Sequence, residues 1–278
     1  MSQELSHDHV TKKPVLYRIA GMESASIRRD VEYRKTDAGP LTMDLYYPAN
    51  STTGARLPAV VFVHGYSDAG IGTPKVLDWP RFKEWELCRS WGQLVAASGL
   101  VAVTYTNRQP TADLLALLEH LRQNAAALGI DKNQIGLYAA SGHVPLALFA
   151  LMQADRGSLK CAVLSCGYML DLDGSTGVAE MAKQFGFVTP AAGKSADDLP
   201  TDLPLFIVRA SQEQFPHLNE MLDAIVMRAL KRNLPLTLVN HQGPHGFEIT
   251  QDSDNSRETI KQMLAFLRFH LRARERFL

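Results

Sequence analysis

The sequence predicts an α/β protein built on one doubly wound, mostly parallel sheet, and three observations carry that reading. Short apolar runs rich in β-branched residues recur at 57–65, 100–105, 135–140, 159–165, 203–210 and 234–240. They are too continuous to belong to half-exposed strands. Between them stand stretches with apolar side chains at helical spacing, so strand and helix alternate after residue 57 and one wound sheet is the economical architecture. Finally, the run 135–140 stops abruptly at Ser141 and a helical segment begins within a few residues, the pattern of strand, sharp turn and helix.

In chain order, 1–15 is polar and reads as a loose arm carrying His7 and His9, two histidines without the further ligands a metal site needs. Residues 31–35 and 41–47 alternate apolar and polar around the turn Asp37-Ala38-Gly39-Pro40 and predict an antiparallel hairpin at a sheet edge. The strand at 57–65 is central and ends at His64-Gly65, followed by the small-residue loop 66–70. Gly65 permits a turn there, and the N–H of Tyr66 is the natural donor facing a site above the sheet. A helix is expected over 82–97, closed by Ser98 and Gly99, and a second from the cap Thr111 to about Leu128, closed by Gly129. Arg108, in the loop between strand and helix, reads as a solvated connection.

After the strand 159–165 the chain changes character. Residues 167–202 are rich in Gly, Thr, Asp, Ala and Pro, with a short helical patch at 178–185. A loop of that length in a compact domain is expected to act as a lid or binding wall. Its Met169, Met181, Phe185, Phe187 and Val188 are candidates to roof a pocket, against the plainer reading of a cover over the sheet. Pro216 introduces a helix, and the last helix, 256–274, ends in a basic stretch suited to a helix C-terminus. The whole of 1–278 is expected to form a single domain, with 1–15 as arm and 167–202 as lid-like insertion.

Composition narrows the function. Lys+Arg and Asp+Glu balance at 29 each, and no basic cluster is interleaved with aromatics. Nucleic acid and polyanionic substrates are therefore not expected as partners. The amino terminus lacks an apolar signal core and no stretch reaches membrane-span length, so a cytoplasmic protein away from the membrane is expected. Cys88, Cys161 and Cys166 form an odd set without metal spacing and imply no disulfide framework.

A serine at a strand-to-helix turn is held with its hydroxyl above the carboxyl edge of the sheet and the next N–H at a helix start, a geometry suited to a nucleophile with an oxyanion donor beside it. The turn reads Ala139-Ala140-Ser141-Gly142-His143, so both flanking glycines of the G-x-S-x-G pattern are replaced. A second role for such a serine is to cap the helix. Two further groups, Glu213 and His245, fall at carboxyl ends of other predicted strands, where open sheets build their sites. Glu220, Asp171 and Asp173 compete with Glu213 for the acid. His241 competes with His245, although Gly243 and Pro244 let the loop swing His245 over the sheet. His143 is too close to Ser141 to reach its hydroxyl without strain. His64 is expected to be structural and hydrogen-bonded beneath the site, with His120, His217 and His270 on the surface.

The chain order serine, acid, histidine, together with the strand end Phe62-Val63-His64-Gly65, the serine turn and His245-Gly246-Phe247, resembles the α/β-hydrolase superfamily, and within it the dienelactone-hydrolase-like and carboxylesterase branches. The resemblance spans nearly all of the chain after residue 30. It implies an α/β-hydrolase fold, with Ser141 as nucleophile, Glu213 as acid, His245 as base, and the backbone of Gly142 and Tyr66 as oxyanion donors. Dienelactone hydrolases carry a cysteine nucleophile, so Ser141 points to a carboxylesterase of small acyl esters. No metal or organic cofactor is called for, the expected partner is a small ester, and a homodimer is left open. A lactonase, a peptidase and a non-catalytic ligand-binding protein on the same scaffold are the alternatives, the last favoured only by the altered elbow.

Overall fold

The computed structural model describes residues 10–49, 51, 54–69, 80–153, 157, 159–167, 169, 177 and 182–271. Among them an eight-stranded sheet runs in the order β1-β2-β4-β3-β5-β6-β7-β8. The strands are β1 (Ser26–Arg34), β2 (Leu41–Tyr47), β3 (Leu57–Phe62), β4 (Val101–Tyr105), β5 (Ile130–Ala140), β6 (Leu159–Ser165), β7 (Leu205–Gln212) and β8 (Leu236–Pro244). β2 is antiparallel to both β1 and β4, and every other pairing is parallel. The predicted wound sheet with an antiparallel hairpin at one edge is thus the observed architecture.

Among the described residues the strands are accompanied by the helices α1 (Glu86–Ala97), α2 (Pro110–Gln123), α3 (Val144–Leu151) and α4 (Leu218–Lys231) and followed by the single turn α5 (Phe247–Thr250) and α6 (Asp254–Leu271). They divide the core into two apolar layers, as the continuous apolar strands require. On one face Leu114, Leu117 and Leu121 of α2, Leu146 and Leu148 of α3 and Leu222 and Ile225 of α4 pack on alternate strand residues such as Val61, Val103 and Leu137. On the other, Trp91, Leu94 and Val95 of α1 and Ile260, Met263 and Leu267 of α6 cover Val60, Ala102 and Val163. Strand periodicity of two sends neighbouring residues to opposite layers, which is why Val60 and Val61 serve different cores.

Several boundaries differ from the sequence reading, each for a local reason. At the end of the expected arm 1–15, Val15 is not loose: it is buried and its N–H donates to Ser90 Oγ at 2.9 Å, and the next N–H, of Leu16, donates to the Glu248 carbonyl at 2.9 Å. His7 and His9 lie outside the described residues, as does the basic stretch 272–276. The segment 82–97 is broken at Trp85, whose extended ψ of 143 separates a short turn at Phe82–Glu84 from α1. Thr111 is not the cap of α2, which starts one residue earlier at Pro110. The Asp113 carboxylate accepts the N–H groups of Arg108 and Gln109 at 2.8 and 2.7 Å and so does the capping from inside the first turn. That helix ends at Gln123 and does not reach Leu128. Arg108 is not a solvated connector. Its guanidinium donates to Thr36 Oγ1 and the carbonyls of Ala38 and Gly39, tying the β1–β2 turn to the loop after β4.

Of the insertion 167–202, Met169, Ala191, Ala196 and Leu199 are buried in the first core layer. Phe185 is 48% exposed, and within the expected patch 178–185 the described helical residues are 182–184. Met181, Asp171 and Asp173 lie outside the described residues. No helix among the described residues is long and apolar enough to cross a membrane.

Candidate active site

β5 delivers Ser141. The strand ends at Ala140, and Ser141 takes φ 52 before a single tight turn, Ser141–His143, leads into α3. A non-glycine residue in the left-handed region is uncommon and requires its neighbours to hold it there. They do so by close approach. A Cβ on Gly65 would lie 3.0 Å from His143 Cα and 3.1 Å from the Gly142 carbonyl, and one on Gly142 would lie 2.3 Å from the Phe187 ring. The need for small residues at this crossing therefore falls on Gly65 and Gly142, which is how position 143 accommodates a histidine.

Around Ser141 the chain closes a continuous polar line. His245 Nε2 is 2.8 Å from Ser141 Oγ, and His245 Nδ1 is 2.6 Å from Glu213 Oε2. Glu213 follows β7, and its other oxygen accepts the N–H groups of Gln214 and Phe215 at 2.9 and 3.0 Å. Its side chain is 2% exposed and that of His245 19%. Burial pushes the Glu213 carboxyl upward, but the imidazole and the two backbone donors outweigh it and leave the group below the ordinary carboxylate value. Phe215 sets its ring edge-on to His245 at 4.8 Å between centroids.

The rival residues are placed elsewhere. β8 continues beyond its expected end at Asn240, so His241 stands within the strand, fully buried, with Nδ1 3.2 Å from Thr259 Oγ1 and its ring stacked on Phe247 at 3.8 Å. Glu220 is 77% exposed and pairs with His217 at 2.8 Å. The expectation of a hydrogen-bonded His64 is corrected. Its backbone N–H donates to the Tyr105 hydroxyl oxygen at 3.1 Å and its carbonyl accepts from Asn107 Nδ2 at 2.9 Å, but neither ring nitrogen has a hydrogen-bond partner among the described residues. Asp68 Oδ2 lies 3.6 Å from His64 Nδ1.

The loop after β3 forms the opposite wall. Gly65 N–H donates to His143 Nδ1 at 2.8 Å, and Val188 N–H donates to the Gly65 carbonyl at 2.8 Å. Tyr66, His64, His143, Phe82 and Phe187 pack ring against ring, with His64 stacked on Phe82 at 4.5 Å. The Tyr66 N–H takes part in no hydrogen bond among the described residues. Burial drives the pKa of His64 and of His143 well below the usual 6.5, so both rings are neutral. Asp68, whose carboxylate accepts the N–H groups of Phe82 and Asn107, is pushed up to about 6 by burial.

Behind His245 lies a group the sequence reading missed. Glu248, at the start of α5, is buried and bonded through Oε1 to Ser165 Oγ at 2.5 Å and through Oε2 to the Tyr138 hydroxyl. It ties the turn carrying His245 to β5 and β6. The available signal was a lone carboxylate three residues after the candidate base and beside the apolar Phe247, where a solvated acid is out of place. Among the described residues no three His, Cys, Asp or Glu side chains are grouped to hold a metal ion.

No protein-family model matches the chain, and no curated protein matches it in sequence. Solved structures do. A thermostable esterase from Pseudomonas putida superposes with a TM-score of 0.69 at 13% identity, over 93% of this chain and 86% of that one. An esterase from Thermogutta terrifontis gives 0.63 at 22% identity, over 89% and 93%. A bacterial heroin esterase gives 0.66 at 17%, over 93% and 88%. With the strand order and the turn at Ser141 already described, these likenesses identify the architecture of this chain as the α/β-hydrolase fold.

Proposed function

We propose that this chain is a serine carboxylesterase that hydrolyses small acyl esters through an acyl-enzyme. The observation that carries the reading is the unbroken line from Glu213 through His245 to Ser141, with contacts of 2.6 and 2.8 Å. In this reading His245 Nε2 accepts the Ser141 proton as Oγ attacks the ester carbonyl, then returns it to the leaving alcohol. Glu213 fixes the Nδ1–H tautomer and stabilises the imidazolium without taking the proton. The N–H groups of Gly142 and Tyr66 receive the negative oxygen of the tetrahedral intermediate. A water activated by the same imidazole then releases the acid.

Small acyl groups are favoured because Phe187 presses on Gly142 and Phe215 stands against His245, which narrows the space on both sides of the serine. Three buried, free cysteines suit a reducing compartment, and the cytoplasm is the proposed location. The altered elbow, which argued for a non-catalytic protein, loses its force because His143 is turned onto Gly65 and leaves Ser141 to His245.

The test is a panel of nitrophenyl acetate, butyrate and longer esters, with γ-lactones and aminoacyl amides alongside. The expected result is a burst of alcohol release on short esters, covalent labelling by a fluorophosphonate, and a loss of about 10⁴-fold or more in kcat for Ser141→Ala. Full hydrolysis by that variant would overturn the assignment.

A further inference from the structure

The histidine in the elbow is the one motif residue that the proposed chemistry does not use. His143 Nδ1 accepts the Gly65 N–H at 2.8 Å, so the ring is a fixed acceptor in its Nε2–H tautomer. The next peptide is held as well, since the Gly65 carbonyl takes the Val188 N–H at 2.8 Å. No peptide bond among the described residues is cis. In a trans peptide the C=O and the following N–H point in opposite directions. Holding the Gly65 carbonyl toward Val188 thus turns the Tyr66 N–H the other way, and that N–H has no partner among the described residues. Gly65 itself rests against the Gly142 carbonyl, beside Ser141.

We infer that His143 is a positioning residue: together with the Val188 N–H it clamps Gly65 and aims the Tyr66 N–H as the second oxyanion donor, doing with a side chain what the missing elbow glycine does not do. This inference rests on the esterase reading. The surroundings fit the role. Phe82, Tyr66 and Phe187 enclose the ring at centroid distances of 4.6, 5.7 and 5.0 Å, so it cannot turn away, and burial keeps it neutral and able to accept. Asn107 and Asp68 hold the far side of the same loop through the His64 carbonyl and the Asp68 N–H.

Two variants of the full chain separate this role from packing. His143→Phe keeps the ring and removes the acceptor. His143→Asn keeps an oxygen where Nδ1 stands. With nitrophenyl acetate the Phe variant is expected to lose about 100-fold in kcat with little change in KM, the loss typical of one oxyanion donor, while the Asn variant recovers most of it. The rate ratio between an ester and its thionoester, whose sulfur anion is the poorer hydrogen-bond acceptor, should fall in the Phe variant alone. Hydrogen exchange at the Gly65 amide should quicken in that variant and not in Asn. An unchanged kcat, or equal losses in both variants with the oxygen-to-sulfur ratio intact, overturns the inference and leaves the esterase reading standing. Wild type no more active than Ser141→Ala overturns the esterase reading and the donor role with it. Should the Phe variant fail to fold, nitrogen NMR of wild type decides: a proton on His143 Nδ1 in place of Nε2 overturns the clamp.

Discussion

The two walls beside Ser141 are each built around a histidine, and they are built in opposite ways. On the β8 side His245 keeps 19% of its side chain exposed, with a carboxylate on one nitrogen and the serine hydroxyl on the other. On the β3 side His143 and His64 sit in a dry aromatic cluster, and no carboxylate comes within hydrogen-bond distance of either ring among the described residues. On the first wall Glu213 Oε2 lies 2.6 Å from His245 Nδ1. On the second wall burial pushes the pKa of both rings well down, although Asp68 Oδ2 lies 3.6 Å from His64 Nδ1. The lesson is that burial alone does not make a base. In the proposed reading the first wall passes a proton, and the second holds a backbone still.

The sharpest way to break this comparison is to remove the charge from the first wall. Glu213→Gln retains an oxygen for the Phe215 and Gln214 N–H groups but offers Nδ1 no carboxylate. We expect kcat on nitrophenyl acetate to fall by about 10³- to 10⁴-fold, the penalty for the wrong tautomer. Steady-state kinetics beside a thermal melt will separate this from unfolding, and an unaltered kcat would put His245 on the same footing as His143.

A smaller effect is expected from the buried acid behind the first wall. Glu248→Ala leaves the Tyr138 and Ser165 hydroxyls without their acceptor and opens a void beneath the His245 turn. The expected loss is about 2–4 kcal/mol in urea unfolding, and less for Glu248→Gln, which keeps one acceptor. Burial raises the Glu248 pKa, so its contribution to stability is greatest at low pH and is lost as pH rises through the folded value.

The second wall should reveal itself in the pH dependence of stability. His64 and His143 have folded pKa values well below 6.5, so below that pH the unfolded chain binds protons that the folded chain refuses. Stability therefore falls as pH drops through 6.5, by at most about 1.4 kcal/mol per pH unit for each ring. Asp68, raised to about 6 from 3.8, works against this below pH 6, because its proton is taken up by the folded chain first. His143→Asn should flatten the acid-side slope by up to one such increment, read from urea midpoints across pH 5–7. An identical slope would mean that the ring is protonated in the fold.

Much of this was legible in the sequence because it follows from periodicity and from breaks in it. The unbroken strands, the halt at Ser141 and the glycine and proline before His245 each leave a local trace. What escaped depends on partners far away in the chain. His143 reads as a blemish in a motif until Gly65, 78 positions earlier, is seen to need an acceptor. Arg108 looks solvated until the Thr36 turn is folded back onto it. Thr111 looks like a cap because threonine often is one, whereas Pro110 at the start of α2 and the Asp113 carboxylate had already met the need. Helix ends and strand ends drift for the same reason: the last residues of β8 are ordered by β7 beside them, through pairs as late as Gln212 with Pro244.

That late pairing bears on the order in which the proposed site is assembled during synthesis. Ser141 directly follows β5, in the middle of the sheet order, and the neighbours β3 and β6 both precede residue 166. The imidazole arrives only when the final strand has docked at the sheet margin, 104 positions later. On the esterase reading, Ser141 is without its base until β8 has paired with β7, and hydrolytic turnover would report that this pairing has formed.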